Sequence, residues 1–150
     1  MRLAYLLVSC SPVLCQTSGL SSIAKVPGET VTLTILVSSQ PSRAPVALKW
    51  EVVFPAQLMD MGSDLPEIGS AAKDSGKSLQ CTSRKPYSYF CVLSGGQKPI
   101  ADGPIAVFHF RIRTAASSGA TRLRIQKAEA TMEDSKEETL NSTEATVIIR

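Results

Sequence analysis

Pro99–Arg113, PIADGPIAVFHFRIR, is the stretch whose reading decides the fold. Asp102-Gly103-Pro104 makes a turn, and a strand follows it. Along that strand Ala106, Phe108, Phe110 and Ile112 alternate with Ile105, Val107, His109 and Arg111. Successive side chains of a strand point to opposite faces, so one of the two sets lies inward. The set with both phenylalanines is the core set. The other ends in His109, Arg111 and, beyond them, Arg113, which favour water. This is one strand of a half-buried sheet, and the rest of the chain supplies its partners.

Upstream of it, Lys77–Ser94 reads as a hairpin with its turn in Arg84-Lys85-Pro86-Tyr87-Ser88. If Cys81 faces Cys91, then Ser83 faces Tyr89 and Leu79 faces Leu93, and a disulfide there pins the register. Leu79, Cys81, Tyr89, Cys91 and Leu93 then share the inward face, and Gln80, Thr82, Phe90 and Val92 the outer one. Two large apolar residues on an outer face mark a contact surface. The competing reading covers them with the Leu58–Lys77 segment.

Further upstream, Val46, Leu48, Trp50, Val52 and Phe54 alternate with Ala47, Lys49, Glu51 and Val53. Trp50 falls in the apolar set, so it reads as core rather than as a platform for a sugar ring. Thr30–Val37 alternates Val31, Leu33, Ile35 and Val37 with threonines, behind a Pro27-Gly28-Glu29 turn and a first strand over Gly19–Val26. Pro66–Ser70 holds a short strand and Lys73–Lys77 a loop. Downstream, Leu123 and Ile125 point inward and Arg122, Arg124 and Gln126 outward. Glu129–Glu144 reads as an acidic, solvated loop, and Val147 and Ile149 belong to a last strand. Nine short strands without a long helical period predict an all-β antiparallel sandwich.

A length of 150 residues, 43% hydrophobic and 19% charged, suits one domain with a proper core. The net charge of +3 is spread along the chain, which gives no footing for nucleic acid. The first fifteen residues differ from the rest. Met1-Arg2 is a positive start, Leu3–Leu14 is largely apolar, and Val13 and Cys15 stand at −3 and −1 before Gln16. That pattern resembles a secretory signal peptide over residues 1–15, leaving a domain over 16–150. It is too short to span a bilayer as a helix. Leu7-Val8-Ser9-Cys10 also fits a lipobox, and lipidation of Cys10 is the one route to a membrane. A misassigned start that truncates a longer leader is a third reading. Cleavage after Cys15 leaves Cys81 and Cys91 as a single pair. Their disulfide would contribute about 3 kcal/mol or a little less in an oxidising compartment. A metal site is the alternative, but it needs further ligands and the chain has one histidine, His109.

Catalytic patterns are missing from the sequence. His109 sits mid-strand among exposed positions, no glycine-rich phosphate loop precedes a helix, and the clustered carboxylates fall in the acidic loop. Asp102 is explained by its turn. The expectation is a non-enzyme without metal or cofactor.

Four segments, spread over roughly Ser21–Ile149, resemble the cohesin domain of bacterial extracellular polysaccharide-degrading systems. VPGETVTL (26–33) is similar to that family's opening hairpin, and LKWEVVFP (48–55) to its third strand. IADGPIAVFHFRI (100–112) is similar to the Asp-Gly turn and seventh strand, and Thr121–Asp134 to the eighth strand and its exit. The resemblance implies a nine-stranded jelly roll in the superfamily of carbohydrate-binding-module-type sandwiches. It also implies a dockerin-like protein partner, bound on the sheet made of the eighth, third, sixth and fifth strands. On this chain that face carries Phe90, Val92 and Val53 at an apolar centre, with Lys49, Glu51, Arg122, Arg124, Gln80 and Thr82 around it. An apolar centre with a polar rim suits a protein interface. A secreted or cell-surface location, bacterial extracellular or periplasmic, accompanies the resemblance. The alternative is polysaccharide binding, by analogy with family 2 and 3 carbohydrate-binding modules, using Tyr87 and Phe90. A third reading is a structural subunit of a surface assembly that associates with itself.

Overall fold

In chain order the elements are β1 (Ala4–Ser11), β2 (Ser21–Lys25), β3 (Thr30–Ser39), β4 (Ala47–Val53), β5 (Met59–Asp60) and β6 (Glu67–Ile68). After them come α1 (Ser70–Asp74), β7 (Ser78–Arg84), β8 (Ser88–Ser94), β9 (Gly103–Ile112), β10 (Gly119–Thr131), β11 (Glu137–Thr139) and β12 (Thr143–Ile149). They belong to a computed structural model that describes residues 4–11, 21–39, 44–84 and 87–150. One sheet runs β1-β3-β9-β5, with β6 also on β9. The other runs β2-β12-β10-β4-β8-β7, with β11 on β10. Only β2 and β12, among the described strands, pair in parallel.

The two sheets face each other across one core, as the alternation demands. Val31, Leu33 and Ile35 of β3, Trp50 and Val52 of β4, and Phe108, Phe110 and Ile112 of β9 are all 0% exposed. Each such side chain contributes roughly 1.5–3 kcal/mol by leaving water. Phe54, just past β4, lies between Phe110, tilted against it with ring centroids 5.2 Å apart, and Tyr89, stacked on it at 5.8 Å. Trp50 is therefore core. The β7–β8 hairpin has the register set by its cysteines: Cys81 opposite Cys91, Ser83 opposite Tyr89, Leu79 opposite Leu93. Cys81 and Cys91 are bonded to each other, which removes the metal reading. The centre of the expected turn, residues 85–86, lies outside the described residues.

Several expectations are corrected. Among the described residues twelve strands stand where nine were expected, the additions being β1, β5 and β11. Glu129–Glu144 is not a loop throughout, because β10 runs on to Thr131 and β11 folds back against it. Helix α1 takes up the start of the expected Lys73–Lys77 loop. Ile105 is 0% exposed although it alternates with the core set. The strand shifts register there, since Ile35 pairs with Ala106 and Leu36 with Pro104. The Gly69 N–H also donates to the Ile105 carbonyl at 2.9 Å, which brings the start of α1 down over it.

The expected leader overlaps the fold. Ala4–Ser11 forms β1, antiparallel to β3, while residues 1–3 and 12–15 lie outside the described residues. No helix among the described residues is long and apolar enough to cross a membrane.

Candidate partner-binding face

Strands β10, β4, β8 and β7 are consecutive in their sheet, and their outer side chains fall into three rows. Arg124, Val53, Ser88 and Arg84 make the first. Gln126, Glu51, Phe90 and Thr82 make the second, and Glu129, Lys49, Val92 and Gln80 the third. On β4 the rows span five residues, or four steps along the strand, and they cross four strands, so the face measures roughly 13 Å by 14 Å. That is wide enough for a helix of about 10–12 Å diameter.

All nine residues expected on this face are brought to it. Eight lie in the rows, and Arg122 stands one step beyond Arg124 on β10, opposite Thr146 of β12. Phe90 and Val92 are half-buried. The Leu58–Lys77 segment does not cover them. Its β5 and β6 pair with β9 in the opposite sheet, and Gly69 bonds to the same strand.

Polar contacts hold the rim in place. The Gln126 amide donates to Glu51 Oε1 at 2.7 Å. That bond, with Phe90 on the next strand, leaves Glu51 only 6% exposed although it sits on an outer face. Lys49 Nζ lies 2.9 Å from Glu129 and 3.8 Å from Glu137. The hydrogen bond to Glu129, then the charges of Glu129 and Glu137, raise the Lys49 pKa. Arg124 Nε donates to Glu144 at 3.1 Å, and Arg122 meets the same carboxylate at 3.5 Å. The Arg84 guanidinium covers the Phe90 ring.

Arg84, Ser88, Gln126 and Glu129 complete the face beyond the expected set. Arg84 was legible, since it continues the alternation of Gln80 and Thr82. Glu129 was hidden by a β-bulge. The register of β10 on β4 shifts between Gln126 and Glu129, and Lys127 has a φ of 51°. The extra residue turns Ala128 and Ala130 inward and Glu129 outward.

His109 lies on the outer face of the opposite sheet. Its Nδ1 is 3.1 Å from Thr32 Oγ1 and its Nε2 is 3.9 Å from Glu67. A cleft of about 410 Å³ beside it is lined by Thr30, Asp60, Met61, Gly62, Ser63, Asp64 and Arg111. Among the described residues no three His, Cys, Asp or Glu side chains gather as metal ligands.

No family model and no curated relative matches the chain. Solved structures do match. A cohesin from Clostridium acetobutylicum superposes with a TM-score of 0.77 at 16% identity, over 99% of this chain and 91% of that one. The cohesin–dockerin complex of a type I system from Clostridium thermocellum gives 0.76 at 12% identity, over 99% and 100%. A non-cellulosomal cohesin from the archaeon Archaeoglobus fulgidus gives 0.70 at 12% identity, over 97% and 92%. The chain has the cohesin fold. The cohesin likeness covers both sheets, so it takes in the four-stranded face as well as the core.

Proposed function

We propose that this chain is an exported, non-catalytic cohesin-type module that binds a dockerin-type protein through the outer face of β10-β4-β8-β7. The observation that carries the reading is the open apolar centre of that face, Phe90, Val92 and Val53, inside a rim of ion-paired and hydrogen-bonded side chains. Such a surface buries anchors in the middle and orients the partner at the edge. The cohesin from Clostridium thermocellum is described in complex with a dockerin, which supports the same class of partner here. The leader pattern of residues 1–15 supports export, by cleavage after Cys15 or by lipidation at Cys10. An extracellular polysaccharide-degrading or cell-surface assembly is the setting we propose. A polysaccharide ligand is the weaker reading, because Phe90 is the single aromatic side chain in the three rows and they offer no line of rings on which sugars could stack.

The test is a binding panel. The chain is immobilised and presented with purified dockerin modules, then with cellulose, xylan and chitin. Binding to a dockerin that Phe90→Ala abolishes upholds the proposal. Retention on polysaccharide alone overturns it.

A further inference from the structure

A carboxylate stands at the apolar centre of the face. Glu51 on β4 is opposite Gln126 of β10 and Phe90 of β8, and it is 6% exposed. The Gln126 amide donates to its Oε1 at 2.7 Å. Its Oε2 has no partner among the described residues and is not sealed from solvent. No cation of the described residues pairs with either oxygen, and the cations of the face are engaged elsewhere. Lys49, two positions along the same strand, lies on Glu129 and Glu137. Arg122 and Arg124 share Glu144. The Arg84 guanidinium lies over the Phe90 ring.

In the free chain water reaches Oε2. A partner seated on Phe90, Val92 and Val53 excludes that water. A carboxylate left there with one neutral donor and no cation is strongly unfavourable. A wholly apolar anchor is therefore a poor fit to this centre, and an acidic one is repelled by Glu51. A lysine or arginine satisfies both parts. Its methylene stem packs on apolar surface while its head meets a carboxylate. Directly opposed side chains of an antiparallel pair stand about 4.5–5.5 Å apart at Cβ, so a stem lying along Phe90 brings its head to Glu51.

We propose that Glu51 sets the specificity of this face by taking a lysine or arginine of the partner, with the stem of that residue along Phe90 and Val53. Gln126 acts as a positioning residue, fixing Oε1 and leaving Oε2 for the incoming cation. The proposal rests on the reading of β10-β4-β8-β7 as the binding face. It holds for any protein that seats a helix there, dockerin-type or not.

The probe is a display library on a two-helix scaffold, with the exposed positions of one helix randomised, selected against the whole chain. Clones that lose binding to Phe90→Ala are expected to share a lysine or arginine at one position. Replacing that residue by methionine keeps a stem and removes the charge, and should weaken binding more than about tenfold. Glu51→Gln keeps a side-chain oxygen for Gln126 and removes the charge, so against it the same replacement should cost less than about threefold. Phe90-dependent clones without a shared basic residue, or a replacement that costs as much against Glu51→Gln as against the parent, overturn the inference. In a clone that carries lysine, a zero-length carbodiimide cross-link located by mass spectrometry needs no variant of this chain, and decides the case should Glu51→Gln fail to fold. A link to Glu51 upholds the inference, and a link to Glu129 or Glu144 alone overturns it. Clones that all ignore Phe90→Ala sink the face itself and the inference with it. A dockerin panel without a single binder, beside Phe90-dependent clones that carry the cation, sinks the dockerin reading and upholds this one.

Discussion

The guanidinium carbon of Arg84 lies 4.3 Å from the centroid of the Phe90 ring, on the outer face of the β7–β8 hairpin. Arg84 holds one face of the ring as a cation–π partner and leaves a charge ready for a carboxylate of the arriving protein. Phe90 thus belongs to the surface, with the core on the far side of its own strand. Phe90→Ala is expected to weaken dockerin binding more than tenfold, a loss above about 1.4 kcal/mol. Its melting temperature should stay within a few degrees of the parent. Calorimetric titration and a melting curve on the same sample decide it, and a collapse of the melt would place Phe90 in the core.

The Cys81–Cys91 bond closes a short loop, at a sequence separation of 10. Reduction should therefore cost about 2–3 kcal/mol or a little less, by restoring freedom to the unfolded hairpin. Melting with and without a reductant should differ by roughly 5–10 °C, and Cys81→Ser with Cys91→Ser should match the reduced protein. An unchanged melt in both would mean that the hairpin holds its register through pairing alone.

Much of this was legible because period-two alternation is a strong signal wherever one face of a strand is buried. Val31 to Val37, Val46 to Phe54 and Ala106 to Ile112 each presented their inward set, and all of it is buried. The cysteine pair then set the hairpin register, which set the outward row with Phe90 and Val92. What escaped has no local signature. A bulge is a change of phase, and Gln126-Lys127-Ala128 contains neither glycine nor proline to announce it, so Glu129 was assigned to a loop. Ile105 is buried by contact with a segment more than thirty positions away in sequence, which alternation within one strand cannot report.

Gly69 is expected to reject any side chain. A Cβ built there would stand 2.4 Å from the carbonyl carbon and oxygen of Pro104 and 2.6 Å from the amide nitrogen of Ile105. These are backbone atoms of β9, the central strand of the core, and cannot swing aside. Gly69→Ala should destabilise by about 1–3 kcal/mol or more, through overpacking. Gly76→Ala is the control. Nothing lies within 4 Å of a Cβ there, so its cost comes only from a φ of +71°. Chemical denaturation of both variants ranks them, and an equal or smaller loss at Gly69 would contradict the close approach.

Lys77 and Lys49 should pull stability in opposite directions as pH rises. Lys77 is 6% exposed, and its Nζ donates to the Gly95 carbonyl at 2.6 Å. Burial lowers its pKa from the ordinary 10.5. Between the lowered folded value and 10.5 the unfolded chain holds more protons, so stability rises with pH across that window. Lys49 is the reverse case. Its bond to Glu129, with the charges of Glu129 and Glu137, raises its pKa above the same 10.5. Its contribution is complete below 10.5 and fades as pH climbs through the raised value, and it is small because the pair is solvent-exposed. Denaturant unfolding at steps from pH 8 to 11, on the parent, Lys77→Met and Lys49→Met, separates the two. Relative to the parent, Lys77→Met should lose the rising slope in the lower part of that range, and Lys49→Met should lose the decline at its top. Parallel pH profiles for the parent and Lys77→Met would mean that the buried amine is solvated well enough to keep its ordinary pKa.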